Sequence, residues 1–345
     1  MRSGREYRRL TIGARRTERP FGLLTAGYKE AVLTPKPRGA LSDGLFEAMR
    51  TRPSSWDDVL SIEPDHDDDT QIALWALYEL HYRGFDDVDD DLEWQHQLLM
   101  LRRSLEQPFE ARLRERYDAP QVTTPFAEAF FDYVASHDGR SLASFVHRDA
   151  DADQVRELLS VRTIYHLKES DPSAWLVPRL SVAPQAALME LQYDEYGAGD
   201  PNSLHAHLFA RGLEACGLRS EYGAYIDDVP CEVLEQNNAM SMFGLHRRLR
   251  GAALGHLAAF ETTSSLPSRR MSQGLHRLGF PDEMIRYYDE HVEADAVHEQ
   301  LAVRVVCASL LDAEPALADD VFFGAFTCLD LEDRFAGAML EAWAA

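Results

Sequence analysis

Apolar residues recur at helical spacing along almost the whole chain. The segments "IALWALYELHYRGF", "DLEWQHQLLMLRRSLEQPFEARLRERY", "TPFAEAFFDYVASH", "DADQVRELLSVRTIYHLKE" and "CEVLEQNNAMSMFGLHRRLRGAALGHLAAFETT" all show it, whereas period-two alternation bounded by turns is nearly missing. An all-α protein is therefore expected, because residues spaced for one face of a helix scatter over both faces of a strand. With 345 residues and 45% hydrophobic content, the chain can bury a core as one large domain or two medium ones.

Three regions can be marked. Residues 1–20, "MRSGREYRRLTIGARRTERP", are arginine-rich and lack apolar periodicity, which predicts a disordered arm. Residues 21–120 form an N-terminal helical region, within which the acids before Thr70 suit a helix start. Breakers cluster in "DAPQVTTP", 118–125, and place a boundary before a larger helical domain, 121–345. A formal net charge of -23, from 58 acidic against 35 basic side chains, argues against nucleic acid as a partner. No apolar run approaches the roughly 20 residues that span a bilayer, and no secretory leader is expected. The four cysteines lie far apart, without the spacing of a zinc or redox motif, which suits free thiols in the cytoplasm.

The segment "YYDEHVEADAVHEQ", 287–300, concentrates acids and histidines. On a helix His291, Asp295 and His298 stand at i, i+4 and i+7, within about 60° of one another. Imidazoles beside a carboxylate suit borderline metals such as iron, manganese or zinc. A solvated acidic face with incidental histidines fits the same segment, and on these fourteen residues alone both readings stay open.

A second cluster adds to the first. In "LMELQYDEYGAGDPNSLHAHLFARGL" one helix runs through Glu195 into a glycine-rich break. A second is expected to start with Asp200 as N-cap and Pro201 as its first residue, bringing His205 near Glu195. Upstream, "YHLKESDPSAW" offers His166 and Glu169 at a helix end. Together Glu169, Glu195, His205, His291, Asp295 and His298 supply three carboxylates and three histidines, a donor set suited to two iron ions in a helical bundle.

The motifs "KESDP", "MELQYDEYGAGDPNSLHAHLF" and "EHVEADAVHEQ" resemble those of the heme-oxygenase-like diiron oxidases, the iron-containing redox enzymes. The likeness covers roughly residues 120–345, and "YELHYRGF" is similar to an N-terminal extension that many members carry. It implies a heme-oxygenase-like seven-helix bundle with that helical extension, often a homodimer. It further implies two Fe(II) ions on the six residues above, with O2 as co-substrate and an external electron donor. On that reading the chain is a cytoplasmic enzyme that oxidises a small molecule in a biosynthetic pathway. N-oxygenation of an amine or amino-acid-like substrate is expected first. Oxidative C–C cleavage, decarboxylation or desaturation of a fatty or amino acid is the alternative, and a non-catalytic helical binding protein is the alternative of another class.

Between the ligand segments, "FGLHRRLRGAALGHLAAFE" raises four further candidates. Arg247 and Arg250 present guanidinium forks that match a substrate carboxylate. His256 and Glu261 are expected to support metal-bound residues rather than to bind metal themselves. The small residues Gly244, Gly251, Ala252 and Gly255 predict a close helix approach.

Overall fold

A computed structural model describes residues 32–344, apart from the side chains of residues 293–296. The predicted N-terminal arm and the Asp295 side chain therefore lie outside what is described. Every regular element among the described residues is helical. The principal helices are α1 (Ala40–Thr51), α2 (Asp67–Glu79), α3 (His96–Arg116), α4 (Phe126–Ala135), α5 (Leu142–Arg148), α6 (Ala152–Val161), α7 (Val182–Glu195), α8 (His205–Ala215), α9 (Cys231–Leu245), α10 (Arg250–Leu278), α11 (Asp282–Gln300) and α12 (Ala318–Ala344). Among the described residues no helix is long and apolar enough to cross a membrane.

The 29-residue α10 is the axis of the bundle, packed along α5, α11 and α12. Its small residues explain how closely α12 approaches. A Cβ on Gly255 would overlap the Val321 carbonyl, and one on Gly324 would overlap the Ala252 carbonyl. These two reciprocal contacts lock the crossing from both sides. Gly255→Ala is expected to cost about 1–3 kcal/mol by overpacking and to lower the melting temperature by several degrees. An unchanged melting temperature would rule out so close a crossing.

Helix α2 is buried almost all round, from Ile72 to Tyr78, as a helix at the centre of a core must be. At its start the acids before Thr70 do more than favour a helix N-terminus. Asp69 is fully buried and accepts the backbone N–H groups of Leu41, Ser42 and Asp65, tying α1 to α2. Helix α2 packs in turn on α9, where Asn238 Nδ2 donates to the Gln71 carbonyl at 2.8 Å. Residues 31–345 make one compact unit. The breaker cluster at 118–125 is a loop within it, and the helices on either side share one core. Just before that loop, Arg116 pairs with Asp330 at 2.6 Å, pinning the end of α3 to α12.

Candidate metal centre

Glu169 occupies the turn between the short helices Thr163–His166 and Asp171–Ala174. Pro172 near the start of the second favours a new helix over continuation of the first. The Glu169 side chain is 6% exposed. Its Oε2 accepts a 2.8 Å hydrogen bond from the Tyr287 hydroxyl, and His166 Nδ1 lies 2.8 Å from the same phenol oxygen. Burial, assisted by the Arg162 charge, pushes the His166 pKa down to about 3, so a neutral pair braces this carboxylate.

Glu195 ends α7, and the chain then reverses through Gly197, Ala198 and Gly199, all at positive φ. A Cβ on Gly197 would sit 2.5 Å from the Leu204 nitrogen, so only glycine allows the tight return. The helix that follows begins at His205, not at Asp200 and Pro201 as expected. Asp200 Oδ1 instead accepts the Asn202 N–H at 2.9 Å and closes a side-chain turn, a use of aspartate that competes with capping. The shorter helix still delivers the predicted pair, with His205 Nδ1 3.2 Å from Glu195 Oε2. Ser170 Oγ donates to the same oxygen at 2.9 Å.

Helix α11 presents His291 and His298, both buried. The Tyr287 carbonyl, one turn back, holds His291 Nδ1 at 2.8 Å. That bond fixes the tautomer and leaves Nε2 as a lone-pair donor facing Glu169 Oε1 at 3.9 Å. His298 Nδ1 lies 3.4 Å from Glu195 Oε1 and 3.6 Å from Glu261 Oε2. After Gln300 the helix runs directly into a π-helical stretch, Leu301–Cys307, a distortion frequent at functional sites.

Two donor groups result. Ligand atoms of Glu169, His205 and His291 lie within 4.8 Å of one another, and so do those of Glu195, Glu261 and His298. Glu195 joins the groups, because one of its oxygens faces His205 and the other His298. Glu261, which the sequence cast as a supporting residue, thus has an oxygen within reach of the second group's other donor atoms. It is the single acid within the apolar run 251–261, a signal that was open to sequence reading. Tyr287 was missed as well; its position four residues before His291 is the clue, since i and i+4 share a helix face.

Charge in the group is tightly balanced. Burial would lower the pKa of His205, but the adjacent Glu195 raises it to about 9. Burial likewise opposes protonation of His298, yet Glu195 and Glu261 lift it to about 11. Glu195 is held well below the ordinary carboxylate range because the bonds from His205 and His298 outweigh its desolvation. Burial raises Glu169 to about 7 and pushes Glu261 up. Protonated imidazoles thus stand where cations could. Glu169 Oε1 and Glu261 Oε2 are buried without a hydrogen bond among the described residues and face imidazole nitrogens at 3.9 and 3.6 Å, which leaves their lone pairs open to a metal ion placed between. Oxygens and imidazole nitrogens in this mixture suit iron.

A cavity opens against the donors. Glu169, Glu195 and Glu261 line one part of it, and Leu176, Leu191, Met240, Phe243, Leu257 and Phe260 much of the rest. His256 also lines it but belongs to neither donor group. The two candidate arginines do not reach it. Arg250 is paired with Glu314, and Arg247 is exposed in the short turn Arg247–Leu249 between α9 and α10.

The model of the family described as "Iron-containing redox enzyme" matches residues 156–333, just over half of the chain and a span that contains every donor described above. Among curated proteins, nitrosourea synthase from Streptomyces achromogenes subsp. streptozoticus is 30% identical over 131 residues. The aligned stretch is 37% of this chain and 27% of that protein, so the match spans about a quarter of the relative's length.

Proposed function

We propose, because this chain belongs to the family of iron-containing redox enzymes, that it is a non-heme diiron oxygenase using O2 to oxidise a small molecule. Membership makes it an oxidoreductase with a heme-oxygenase-like, all-α fold. The observation that carries the diiron reading is the pair of buried donor groups joined by Glu195. Glu169, His205 and His291 would hold one iron, Glu261 and His298 the other, and Glu195 would serve both. On sequence spacing alone, four residues after His291, Asp295 would join the set. Glu169, Glu195, Glu261 and Asp295 then bring four negative charges, which offset the charge of two ferrous ions, with three imidazoles as neutral donors.

Bound iron would supply the electrons and open positions that activate O2. The chain's own residues do the rest. Tyr287 and His166 hold Glu169 in place, and the Tyr287 carbonyl aims His291. The apolar cavity wall excludes water beside the donors. Oxidation of nitrogen is the preferred reaction, supported by the partial likeness to a protein whose name denotes an N-oxidised product. C–C cleavage or desaturation is the alternative. A cytoplasmic homodimer served by an external electron donor completes the reading.

Iron binding must displace the protons on His205 and His298. Because the metal-free pKa values of these groups are raised to about 9 and about 11, both carry protons at pH 7. Ferrous binding is therefore expected to release protons, and affinity should rise with pH across the neutral range. Anaerobic ferrous titration in weak buffer with a pH indicator reads both. Less than about one iron per chain, or uptake without proton release, would remove the diiron centre and favour a non-catalytic helical protein.

A further inference from the structure

The cavity beside the donors is lined by Gln192, whose side-chain amide no described residue answers, and by the buried imidazole of His256. Gln192, on α7 one turn before Glu195, is 3% exposed, and neither its Oε1 nor its Nε2 makes a hydrogen bond among the described residues. His256, on α10, is 8% exposed. It meets Phe243 edge-on at 6.3 Å. Both line the same cavity. Burial holds the His256 pKa down, at about 4, so the ring is neutral, with one N–H donor and one lone pair.

Burying polar atoms without partners is unfavourable, and such groups in a folded protein call for a reason. Packing does not provide one here, since the neighbouring wall is Leu176, Leu191, Met240, Phe243, Leu257 and Phe260. Ser170 is already committed to Glu195. Among the described residues no lysine or arginine lines the cavity, so away from the donor groups a carboxylate entering it would meet no cationic side chain. An ammonium group, which only donates, would leave the N–H donors of Gln192 unanswered.

We propose that Gln192 and His256 are the anchoring pair of the substrate cavity, and that the group they take is an uncharged amide-type unit, a carboxamide or urea. The side-chain amide of Gln192 offers a donor and an acceptor side by side, which match the C=O and N–H of such a unit. His256 answers its remaining polar atom, and the apolar wall takes the attached carbon chain. The proposal rests on the reading of the donors as an iron site only insofar as it makes the bound group the substrate.

Butyramide, butyrate and butylamine serve as probes, measured by ligand-observed NMR on the full chain, iron-free and then loaded with ferrous iron under argon. Iron per chain is determined on the same samples. In the loaded protein butyramide is expected to bind at least about tenfold more tightly than the other two. Gln192→Leu and His256→Phe should each weaken butyramide about tenfold, roughly what one lost hydrogen bond in a closed pocket removes, with iron per chain unchanged. His256→Gln, which keeps a donor and an acceptor, should retain more affinity than His256→Phe. Butyrate or butylamine binding as tightly as butyramide, no butyramide binding, or butyramide binding indifferent to Gln192→Leu would each overturn the assignment. If the protein takes up no iron yet the iron-free form binds butyramide in a Gln192-dependent way, the subsite is supported and only the metal reading falls.

Discussion

His298→Ala is expected to lower the iron held after anaerobic ferrous loading from about two per chain to one or fewer, while the helical content stays as it was. The His298 side chain is 1% exposed and stands between Glu195 and Glu261. In the metal-free protein it carries the proton that balances them, and in the loaded protein it would be the one nitrogen of its donor group. Alanine leaves two buried carboxylates facing each other without either. Glu261→Ala should cause the same loss, although sequence alone gave that residue a supporting role. Iron content measured by chelator assay, beside a far-ultraviolet circular dichroism spectrum, checks both variants. Unchanged iron in His298→Ala would take His298 out of the ligand set, and unchanged iron in Glu261→Ala would return Glu261 to the role the sequence suggested.

Lys168→Met is expected to cost about 3–5 kcal/mol of stability, the usual penalty for breaking a buried ion pair from one side. Lys168 Nζ lies 2.8 Å from Glu79 Oε2, with the side chains 1% and 0% exposed. The ammonium also sits 4.1 Å from the centre of the Tyr82 ring, and Tyr222 donates to Glu79 Oε2 at 2.9 Å. Without the lysine, Glu79 remains a charge inside the core with two neutral donors, Tyr222 and the Arg83 N–H. Urea unfolding measures the loss, and a change under about 1 kcal/mol would show that the pair is solvated in solution. Combining Lys168→Met with Glu79→Leu should recover most of the stability, because both charges then leave the core. Lys168 immediately precedes Glu169, so weaker iron binding in the single variant should accompany its instability.

The Glu79–Lys168 pair also marks where sequence reading stopped. Helical periodicity was enough for the all-α class, since each helix carries its own apolar spacing. It could not show that α2 and α9 are buried on all sides, because Gln71, Asn238 and Glu79 look solvent-facing until a partner strips their water. The break at 118–125 looked like a boundary for the same reason: turn chemistry is local, whereas the packing of α2 on α9 depends on contacts more than 150 positions apart, such as Asn238 with Gln71.

The candidate site divides along similar lines. His291 and His298 share a helix face by arithmetic, and Glu195 and His205 flank a glycine break that any reader of the chain would see. These relations span at most ten residues, and backbone geometry alone carries them. Which carboxylate faces which imidazole is another matter. Glu261 lies 37 positions before His298 yet stands 3.6 Å from it, while Arg247 and Arg250, equally suggestive in the sequence, are not among the residues that line the cavity. The chemical nature of the donors, carboxylates and imidazoles, was thus readable in the local pattern of the chain, whereas the place of Glu261 among them was not. Their division into two groups, the joining role of Glu195 and the unanswered amide of Gln192 came from how α7, α10 and α11 pack, because proximity between distant residues and loss of water exist only once those helices meet.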